Sequence, residues 1–244
     1  MTFIIVGASA GLGRSLAEKF ASEKHDLILI STDMRDLIPL KSDLEIKFNV
    51  KIIPIEISFK KIPVDFSIIT QALSGISPLE GILFPLGYFD INDTPELNDT
   101  LAIEIFNANL ISICLMINHF LKLLRERKST IIGFGSVAAI RGRTKNAIYS
   151  ASKRGLGSFF ESLRHYTQNS NVVTQFYVLG YLDTNSSFGQ NTFLFKPADI
   201  KKLSDMVYSN RFKDFGVMVY PKEWKLVKLI LPFVPWKFFK KINF

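Results

Sequence analysis

A tyrosine, a lysine and a serine have the residue types and the spacing for proton-transfer chemistry. Tyr149 and Lys153 lie four residues apart at the start of a predicted helix, so both side chains project from one helix face. Ser136 precedes Tyr149 by thirteen residues and follows a predicted strand. A free phenol titrates at about pH 10, and a neighbouring ammonium stabilises the phenolate and lowers the phenol pKa. Tyr149 is therefore a candidate general acid or base.

Three glycines near the N-terminus have the spacing of a phosphate-binding turn. Gly7, Gly11 and Gly13 follow an apolar strand and open a predicted helix. Glycine lets the backbone turn sharply and approach a pyrophosphate, whose charge is favoured at a helix N-terminus. A tight strand-to-helix turn without any ligand needs the same residue type, so this pattern alone leaves both interpretations open.

Strands and helices alternate along the chain that carries these residues. Predicted strands, apolar and β-rich, cover residues 2–6, 27–31, 51–57, 81–84, 130–134, 172–178 and 217–220. Predicted helices cover residues 14–24, 35–48, 67–73, 97–127 and 147–167. This alternation predicts an α/β fold, a Rossmann-type doubly wound parallel sheet with helices on both faces. A polar segment at 185–196 is expected to form a mobile loop near the site.

Length and composition indicate one globular domain followed by a distinct C-terminal segment. The 244 residues are 48% hydrophobic and 21% charged, which excludes disorder, collagen and coiled coil as the main state. We expect a single domain at residues 1–220 and a basic aromatic tail at 221–244. One cysteine, Cys114, allows no intramolecular disulfide, and the N-terminus has no signal-peptide pattern, so a cytoplasmic protein is expected.

The net charge of +8 is concentrated in the tail. Residues 222–244 hold six lysines and one acidic residue, and so most of the excess charge. Nucleic-acid binding is disfavoured because these charges stand among aromatic residues rather than on a basic face. Lysines and prolines leave no apolar run long enough to span a bilayer, but the composition favours peripheral contact with an anionic membrane. Closure of the core or of a dimer interface is the alternative interpretation of the tail.

With its glycine turn and its Ser, Tyr and Lys set, the chain resembles the short-chain dehydrogenase/reductase family over about residues 2–184. The resemblance implies an NAD(P)-dependent oxidoreductase that moves hydride between nicotinamide and a secondary alcohol or ketone. It implies four catalytic residues: Tyr149 as proton donor or acceptor, Lys153 at the nicotinamide ribose, Ser136 at the substrate carbonyl and Asn109 at a proton-relay water. A packed core amide is the alternative for Asn109. The alternative function, an NAD(P)-sensing protein without turnover, is disfavoured by the complete set.

The resemblance also implies an NAD(P) site and no metal site. Its cofactor-binding residues are Gly7, Ser9, Ala10, Gly11, Leu12, Gly13, Ser31, Thr32, Arg35, Glu56, Gly87, Tyr149, Lys153, Gly180, Leu182 and Thr184. The chain departs from the family pattern at two places. Leu179 stands where the family has proline, and Phe84-Pro85-Leu86 replaces the usual Asn-Asn-Ala before Gly87.

The end of the second predicted strand favours NADP over NAD. Ser31 and Thr32 carry no charge, and Arg14 and Arg35 are nearby, which suits a 2′-phosphate better than a ribose diol. Asp33, in the same turn, is the residue that would favour NAD. Both arginines are also explained as ordinary solvated helix residues.

Two arginines and the tail favour a sugar-like or lipid-linked substrate. Arg141 and Arg143 precede Tyr149 and are candidates for phosphate or polyol recognition, with solvated loop charges as the alternative. With these arginines, the tail and the sequence Gly87-Tyr88-Phe89-Asp90, the chain resembles the branch of the family that contains decaprenylphosphoryl-ketoribose reductases. That likeness implies a keto-sugar of polysaccharide or glycolipid synthesis as substrate and a peripheral position on the inner face of the membrane. A homodimer or homotetramer is expected.

Overall fold

A seven-stranded parallel sheet forms the centre of the computed structural model, which describes residues 1–183 and 196–241. Its strands are β1 (Thr2–Val6), β2 (Asp26–Ser31), β3 (Ile52–Glu56), β4 (Leu79–Phe84), β5 (Ser129–Ser136), β6 (Val172–Leu179) and β7 (Val217–Tyr220). The spatial order is β3-β2-β1-β4-β5-β6-β7. The strand order reverses between β1 and β4, and ligands of such sheets bind at the carboxyl ends of the strands beside this point.

Helices cover both faces of the sheet. They are α1 (Gly11–Ser22), α2 (Met34–Phe48), α3 (Ser67–Ser74), α4 (Asp99–Phe106), α5 (Ser112–Arg125), α6 (Ala147–Thr167), α7 (Ile200–Asn210), α8 (Trp224–Ile230) and α9 (Trp236–Phe239). A π-helical turn at Asn107–Ile111 joins α4 to α5, and 3₁₀ turns lie at Val137–Ala139 and Leu231–Phe233. The predicted Rossmann-type fold is confirmed.

The core consists of two apolar layers, one on each face of the sheet. Phe3 and Ile5 of β1 pack in the layer formed with α1, α2 and α7, whereas Ile4 and Val6 pack in the layer of α3, α5 and α6. Successive residues of a strand point to opposite faces, and both faces of a parallel sheet are covered. This explains why the strand segments are continuously apolar rather than alternating.

The helix predicted over 97–127 and the segment near residue 200 differ from expectation. A π turn interrupts the long helix, which extends over Asp99–Arg125. Helix α7 was not predicted, although Asp199 caps it by accepting hydrogen bonds from the amides of Lys201 and Lys202, a recognisable start signal. Most of the predicted loop at 185–196 lies outside the described residues.

One described helical stretch meets the length and hydropathy of a membrane-spanning helix, contrary to the expectation that no apolar run is long enough. Asp99–Arg125 has 27 residues and a mean hydropathy of 1.8 over its most apolar window. Nearly half of that window is buried, with Ile113, Met116 and Phe120 packed in the core layer under the sheet. Core helices of soluble proteins share these properties, so length and composition do not by themselves make this a membrane span.

Candidate active site

The glycine turn between β1 and α1 forms a strained, close-packed loop. Gly7 and Gly11 have φ angles of +89° and +50°, which residues with a Cβ rarely adopt. A Cβ at Gly13 would lie 1.9 Å from the Gly7 carbonyl oxygen, so only glycine lets the helix approach the strand. Among the described residues, no side chain caps α1 and no acidic residue lies in its first turn. The free first-turn amides fit a pyrophosphate, with Ser9, Ala10 and Leu12 in the same turn.

The carboxyl ends of β2 and β3 place the predicted adenosine-binding residues together. Ser31 is buried and pairs in register with Glu56, whose side chain is exposed. Thr32 is exposed next to Ser31. Asp33 caps α2 by accepting from the Arg35 amide at 2.8 Å, and the Arg35 Nε donates to the same carboxylate. The Arg35 guanidinium thereby lowers the pKa of Asp33.

Both arginines expected near a 2′-phosphate are paired with acids at the surface. Arg14 lies 3.5 Å from Glu18, one turn along α1, and Arg35 pairs with Asp33. The Arg35 side chain is 89% exposed. Exposed ion pairs of this kind contribute little free energy, because solvent screens them. Either arginine can therefore exchange its carboxylate for an incoming phosphate at small cost.

Lys153 is buried in α6 and is held by two backbone carbonyls, one in the loop after β4 and one in β5. Its Nζ donates to the Leu86 carbonyl at 2.8 Å and to the Phe134 carbonyl at 3.1 Å. Burial lowers its pKa to about 7, because the charged ammonium loses its hydration. Gly87 lies beside it, with a hypothetical Cβ 3.9 Å from Nζ. The contact between this loop and Lys153 uses the backbone carbonyl of Leu86, so it does not depend on the side chain at that position. The departure from the family pattern at Phe84-Pro85-Leu86 therefore leaves the contact intact.

Tyr149 lies half-buried at the start of α6, and its phenol is within interaction range of the Ser136 side chain at the end of β5. Burial raises the phenol pKa, and the Ser136 side chain opposes that shift only partly. The Lys153 Nζ lies 6.0 Å from the centroid of the Tyr149 ring. The expectation that the ammonium lowers the phenol pKa is thus wrong for this structure, because the ammonium binds two carbonyls and burial dominates.

Asn109 lies on the π turn and connects the loop after β4 to α6. Its Oδ1 accepts from the Tyr88 amide at 2.8 Å, and its Nδ2 donates to the Tyr88 carbonyl at 2.7 Å and to the Ser152 hydroxyl at 3.2 Å. The side chain is fully buried. These contacts match the core-amide alternative for the side chain, and they also orient the helix that carries Tyr149.

Asp93 is a site residue that the sequence analysis missed. Its two carboxylate oxygens accept from the amides of Ile148 at 2.9 Å and Tyr149 at 2.8 Å, and its carbonyl accepts from the Asn146 amide at 2.8 Å. Asn146 precedes α6 with φ of +57° and provides no side-chain cap. Asp93 is 1% exposed, so a buried carboxylate from a distant loop caps the helix of Tyr149. Its separation of 55 residues from Ile148 leaves no local sequence signal.

The predicted cofactor-binding residues Gly180 and Leu182 lie where β6 meets the C-terminal segment. The Gly180 amide donates to the Tyr220 carbonyl at 2.7 Å, and a Cβ at Gly180 would lie 2.3 Å from Nε1 of Trp224. Glycine is therefore required because Trp224 covers it. Leu182 forms a parallel bridge with Ala198. Thr184 lies outside the described residues, and Leu179, in place of proline, ends β6 as an ordinary paired strand residue.

Arg141, a candidate for phosphate recognition, contacts the C-terminal segment instead. Its guanidinium donates to the carbonyl of Leu231 at 2.9 Å and to that of Val234, and it lies 3.9 Å from the centroid of the Phe239 ring. These contacts satisfy the charge within the chain. Arg143 is half-buried nearby.

The parallel sheet has a phosphate-type glycine turn at its switch point and a Ser, Tyr and Lys cluster beside it. This strand order and these features define a dinucleotide-binding protein of the Rossmann class. The model of the family described as short chain dehydrogenase matches residues 1–192. The chain belongs to this short-chain dehydrogenase/reductase family, whose general property is NAD(P)-dependent oxidoreduction.

Curated relatives are named as reductases of oxoacyl groups. The very-long-chain 3-oxoacyl-CoA reductase of Rattus norvegicus is 27% identical over 186 residues, covering 70% of this chain and 56% of the relative. The 3-oxoacyl-(acyl-carrier-protein) reductase FabG of Aquifex aeolicus is 25% identical, covering 75% and 74%. The ketoacyl reductase HetN of a Nostoc species is 25% identical, covering 94% and 83%. The chain thus spans little more than half the length of the oxoacyl-CoA reductases it matches.

Solved structures share the fold at low sequence identity. A short-chain dehydrogenase from Sphingobium yanoikuyae in complex with NADPH superposes with a TM-score of 0.78 and 18% identity, covering 99% of this chain and 96% of that one. A 7β-hydroxysteroid dehydrogenase gives a TM-score of 0.83 at 15% identity, covering 95% and 91%. These likenesses establish the architecture alone.

Proposed function

We propose that this protein is an NAD(P)H-dependent reductase that converts a ketone to a secondary alcohol. The observation that carries the proposal is the placement of Tyr149 beside Ser136, on a helix whose next turn carries the buried Lys153. The uncapped glycine turn at α1 supports binding of the pyrophosphate. NAD(P)H, when bound, supplies the hydride.

The chain's own residues supply the proton and the orientation. The Ser136 hydroxyl can hold the substrate oxygen next to the Tyr149 phenol, and that phenol delivers its proton to the oxygen as negative charge develops there. Because its pKa is raised, Tyr149 carries this proton throughout the neutral range. A protonated phenol is the form needed for reduction, and this supports the reductive direction.

Lys153 and Asp93 both position the helix that carries Tyr149. Lys153 joins α6 to the loop after β4 and to β5 through two backbone carbonyls. Asp93 fixes the amide of Tyr149 itself. Reacting groups held to within a fraction of an ångström gain much of their rate from orientation, so both residues are expected to affect turnover.

The proposal includes a preference for NADPH. The uncharged Ser31 and Thr32 and the exchangeable pairs of Arg14 and Arg35 support it, as does the NADPH complex of a structural neighbour. Asp33 opposes it. Calorimetric titration with both cofactors is the test, and we expect Arg35→Ala to weaken NADPH binding about tenfold or more with little change for NADH, as for one charge-assisted hydrogen bond. Tighter binding of NADH by the unaltered protein would show that Asp33 faces the ribose diol.

The substrate class we propose first is a 3-oxoacyl thioester, because curated relatives carry that activity in their names. A keto-sugar on a polyprenyl carrier, of the kind used in polysaccharide or glycolipid synthesis, is the second candidate, supported by the basic aromatic tail. Following NADPH oxidation by absorbance against 3-oxoacyl thioesters of increasing chain length and against free and lipid-linked keto-sugars separates the two. If neither the 3-oxoacyl thioesters nor the keto-sugars cause NADPH oxidation, both candidates are contradicted. If only simple ketones cause it, the general reaction alone is retained.

We also propose that the protein is a homodimer or homotetramer, as the family resemblance implies. A cytoplasmic location is part of the same proposal, because the single cysteine, Cys114, indicates a reducing compartment. Sedimentation equilibrium of the full chain without lipid tests the assembly. A monomer at micromolar concentration would contradict it.

A further inference from the structure

The C-terminal segment exposes an unusual number of large apolar side chains. We call residues 222–241, which contain α8, the 3₁₀ turn and α9, the tail segment. Six of its apolar residues are more than half exposed: Leu226, Leu229, Ile230, Phe233, Trp236 and Phe238. Phe233 reaches 81% exposure. Soluble surfaces rarely expose a contiguous apolar patch of this kind unless it binds something.

A separate set of residues anchors the tail segment to the domain. Trp224 covers Gly180, and its ring centroid lies 5.7 Å from that of Tyr181. Phe239 is 6% exposed under the Arg141 guanidinium. Other side chains of the same segment therefore pack against the domain, and the exposed residues are not needed for that packing.

The geometry of α8 separates the two sets. With 3.6 residues per turn, Leu226, Leu229 and Ile230 lie within about 100° of one another around the helix axis. Trp224 lies on the opposite side of the helix, and Val227 lies between it and Ile230; these two are the less exposed residues of the helix. The outward apolar side continues into a groove lined by Leu229, Ile230, Phe233, Val234 and Pro235. The tail segment thus has an inner face for the domain and an outer apolar face.

The charges around the outer face are almost all positive. Lys222, Lys225, Lys228, Lys237, Lys240 and Lys241 are all exposed, and Glu223 is the one acidic residue among the described residues of the segment. Large aromatic and aliphatic side chains with a surrounding set of lysines match the boundary between headgroups and acyl chains of an anionic bilayer. The helices of seven and four residues are far too short to span it.

We infer that the outer face of the tail segment docks on an anionic lipid surface. Its apolar residues insert at the level of the headgroups, while the lysines contact acidic lipids. The same segment covers Gly180 at the end of β6 and binds Arg141 in the stretch between Ser136 and Tyr149. Docking therefore brings residues that flank the candidate active site close to the membrane. This suits a substrate with a long apolar chain, a consequence that rests on the proposed function, whereas docking itself does not.

Vesicle co-sedimentation of the full chain tests the inference without any substrate. The probes are vesicles of phosphatidylcholine alone and of phosphatidylcholine with phosphatidylglycerol. We expect binding that rises with the phosphatidylglycerol fraction and falls with salt. Equal sedimentation with both vesicle types, or none with either, overturns the inference.

Matched variants separate the apolar and the charged contributions. Phe233→Ser with Trp236→Ser should lower the vesicle partition coefficient at least about tenfold, whereas Ile46→Ser, at an 84% exposed position of α2, should leave it unchanged. Lys225→Gln, Lys228→Gln and Lys237→Gln together should lower it by a similar factor, and the same change at Lys41, Lys47 and Lys122 should not. Equal losses in the tail and control variants would overturn the inference.

Sedimentation velocity without lipid tests the competing explanation, in which a second copy of this chain covers the outer face. If the outer face joins two copies of this chain, the wild type will self-associate, the serine double variant will dissociate, and anionic vesicles will bind neither. That result overturns lipid docking. Circular dichroism of the variants shows whether they are folded, and because binding is read without turnover, failure here is distinct from failure of the proposed reaction.

Discussion

The candidate active site has a corner formed by Asp93, Asn109, Tyr149 and Lys153, and this corner and the tail segment depart from ordinary burial in opposite directions. In the corner, the polar groups of Asp93, Asn109 and Lys153 are at most 3% exposed, and each has hydrogen-bond partners within the chain. In the tail segment, large apolar groups such as Phe233 and Trp236 face solvent. Buried polar groups are tolerated only when satisfied, and exposed apolar groups carry a cost that a partner removes.

This difference shows that the two regions depend on different surroundings. The corner is complete within the folded chain, because backbone groups of the loop after β4, of β5 and of the first turn of α6 satisfy its side chains. The outer face of the tail segment has nothing within the described chain to cover it. Substitutions in the corner should therefore change rate and stability, whereas substitutions on the outer face should change association.

The largest expected effect is at the centre of the corner. Tyr149→Phe removes the transferable proton and leaves the ring, so turnover should fall by about 10²–10⁴-fold. NADPH affinity should stay within a few-fold, because the deleted hydroxyl is the proton donor. Steady-state kinetics and calorimetry measure the two quantities. Undiminished turnover would remove Tyr149 from the chemistry, and absence of turnover in the wild type with every ketone tried, despite tight NADPH binding, would favour a sensing protein.

A smaller loss is expected at the cap of α6. Asp93→Ala leaves the amides of Ile148 and Tyr149 without an acceptor, and we expect a loss of about 2 kcal/mol in the free energy of unfolding. Because the Tyr149 phenol then moves, kcat should fall more than KM rises. Asp93→Asn keeps one acceptor and should recover part of both losses. If kcat is unchanged while stability falls, Asp93 caps the helix without positioning the phenol.

A pH effect of intermediate size is expected from Lys153. Its pKa is about 7 in the folded chain and near 10.5 when unfolded. Between these values the unfolded state binds more protons, so the contribution of this group to the free energy of unfolding rises with pH from about 7 to 10.5 and is flat below 7. The difference between wild type and Lys153→Met, measured by denaturant unfolding, should show this rise. A difference independent of pH would show that the ammonium stays protonated.

The smallest effect is expected on the outer face of the tail segment. Leu229→Ser or Phe233→Ser should change the free energy of unfolding by no more than about 0.5 kcal/mol, as for other exposed positions. Phe239→Ala, at a 6% exposed position under Arg141, should cost about 3 kcal/mol. Thermal and denaturant unfolding give both values. Equal large losses at the exposed and buried positions would show that the tail segment packs against more of the chain than its exposure indicates.

Sequence patterns were sufficient for the elements that local periodicity and local spacing encode. The strands, the limits of α6 and the alternation of strands with helices follow from apolar runs and helical spacing, and the structure confirms the fold. The spacing of Ser136, Tyr149 and Lys153 likewise suggested one cluster, and the structure brings them to neighbouring elements. The catalytic roles of these residues stay predictions until turnover is measured.

Contacts between distant segments were decided by the tertiary structure alone. The sequence by itself determined which segments form strands and helices, where the backbone must turn at glycine, and which residue types could transfer a proton, because these depend on near neighbours. Only folding decided that Asp93 caps α6, that the Leu86 carbonyl receives Lys153, and that the tail segment has two faces. The pKa of Tyr149 moved opposite to expectation for the same reason: burial and partner geometry are properties of the whole packed chain.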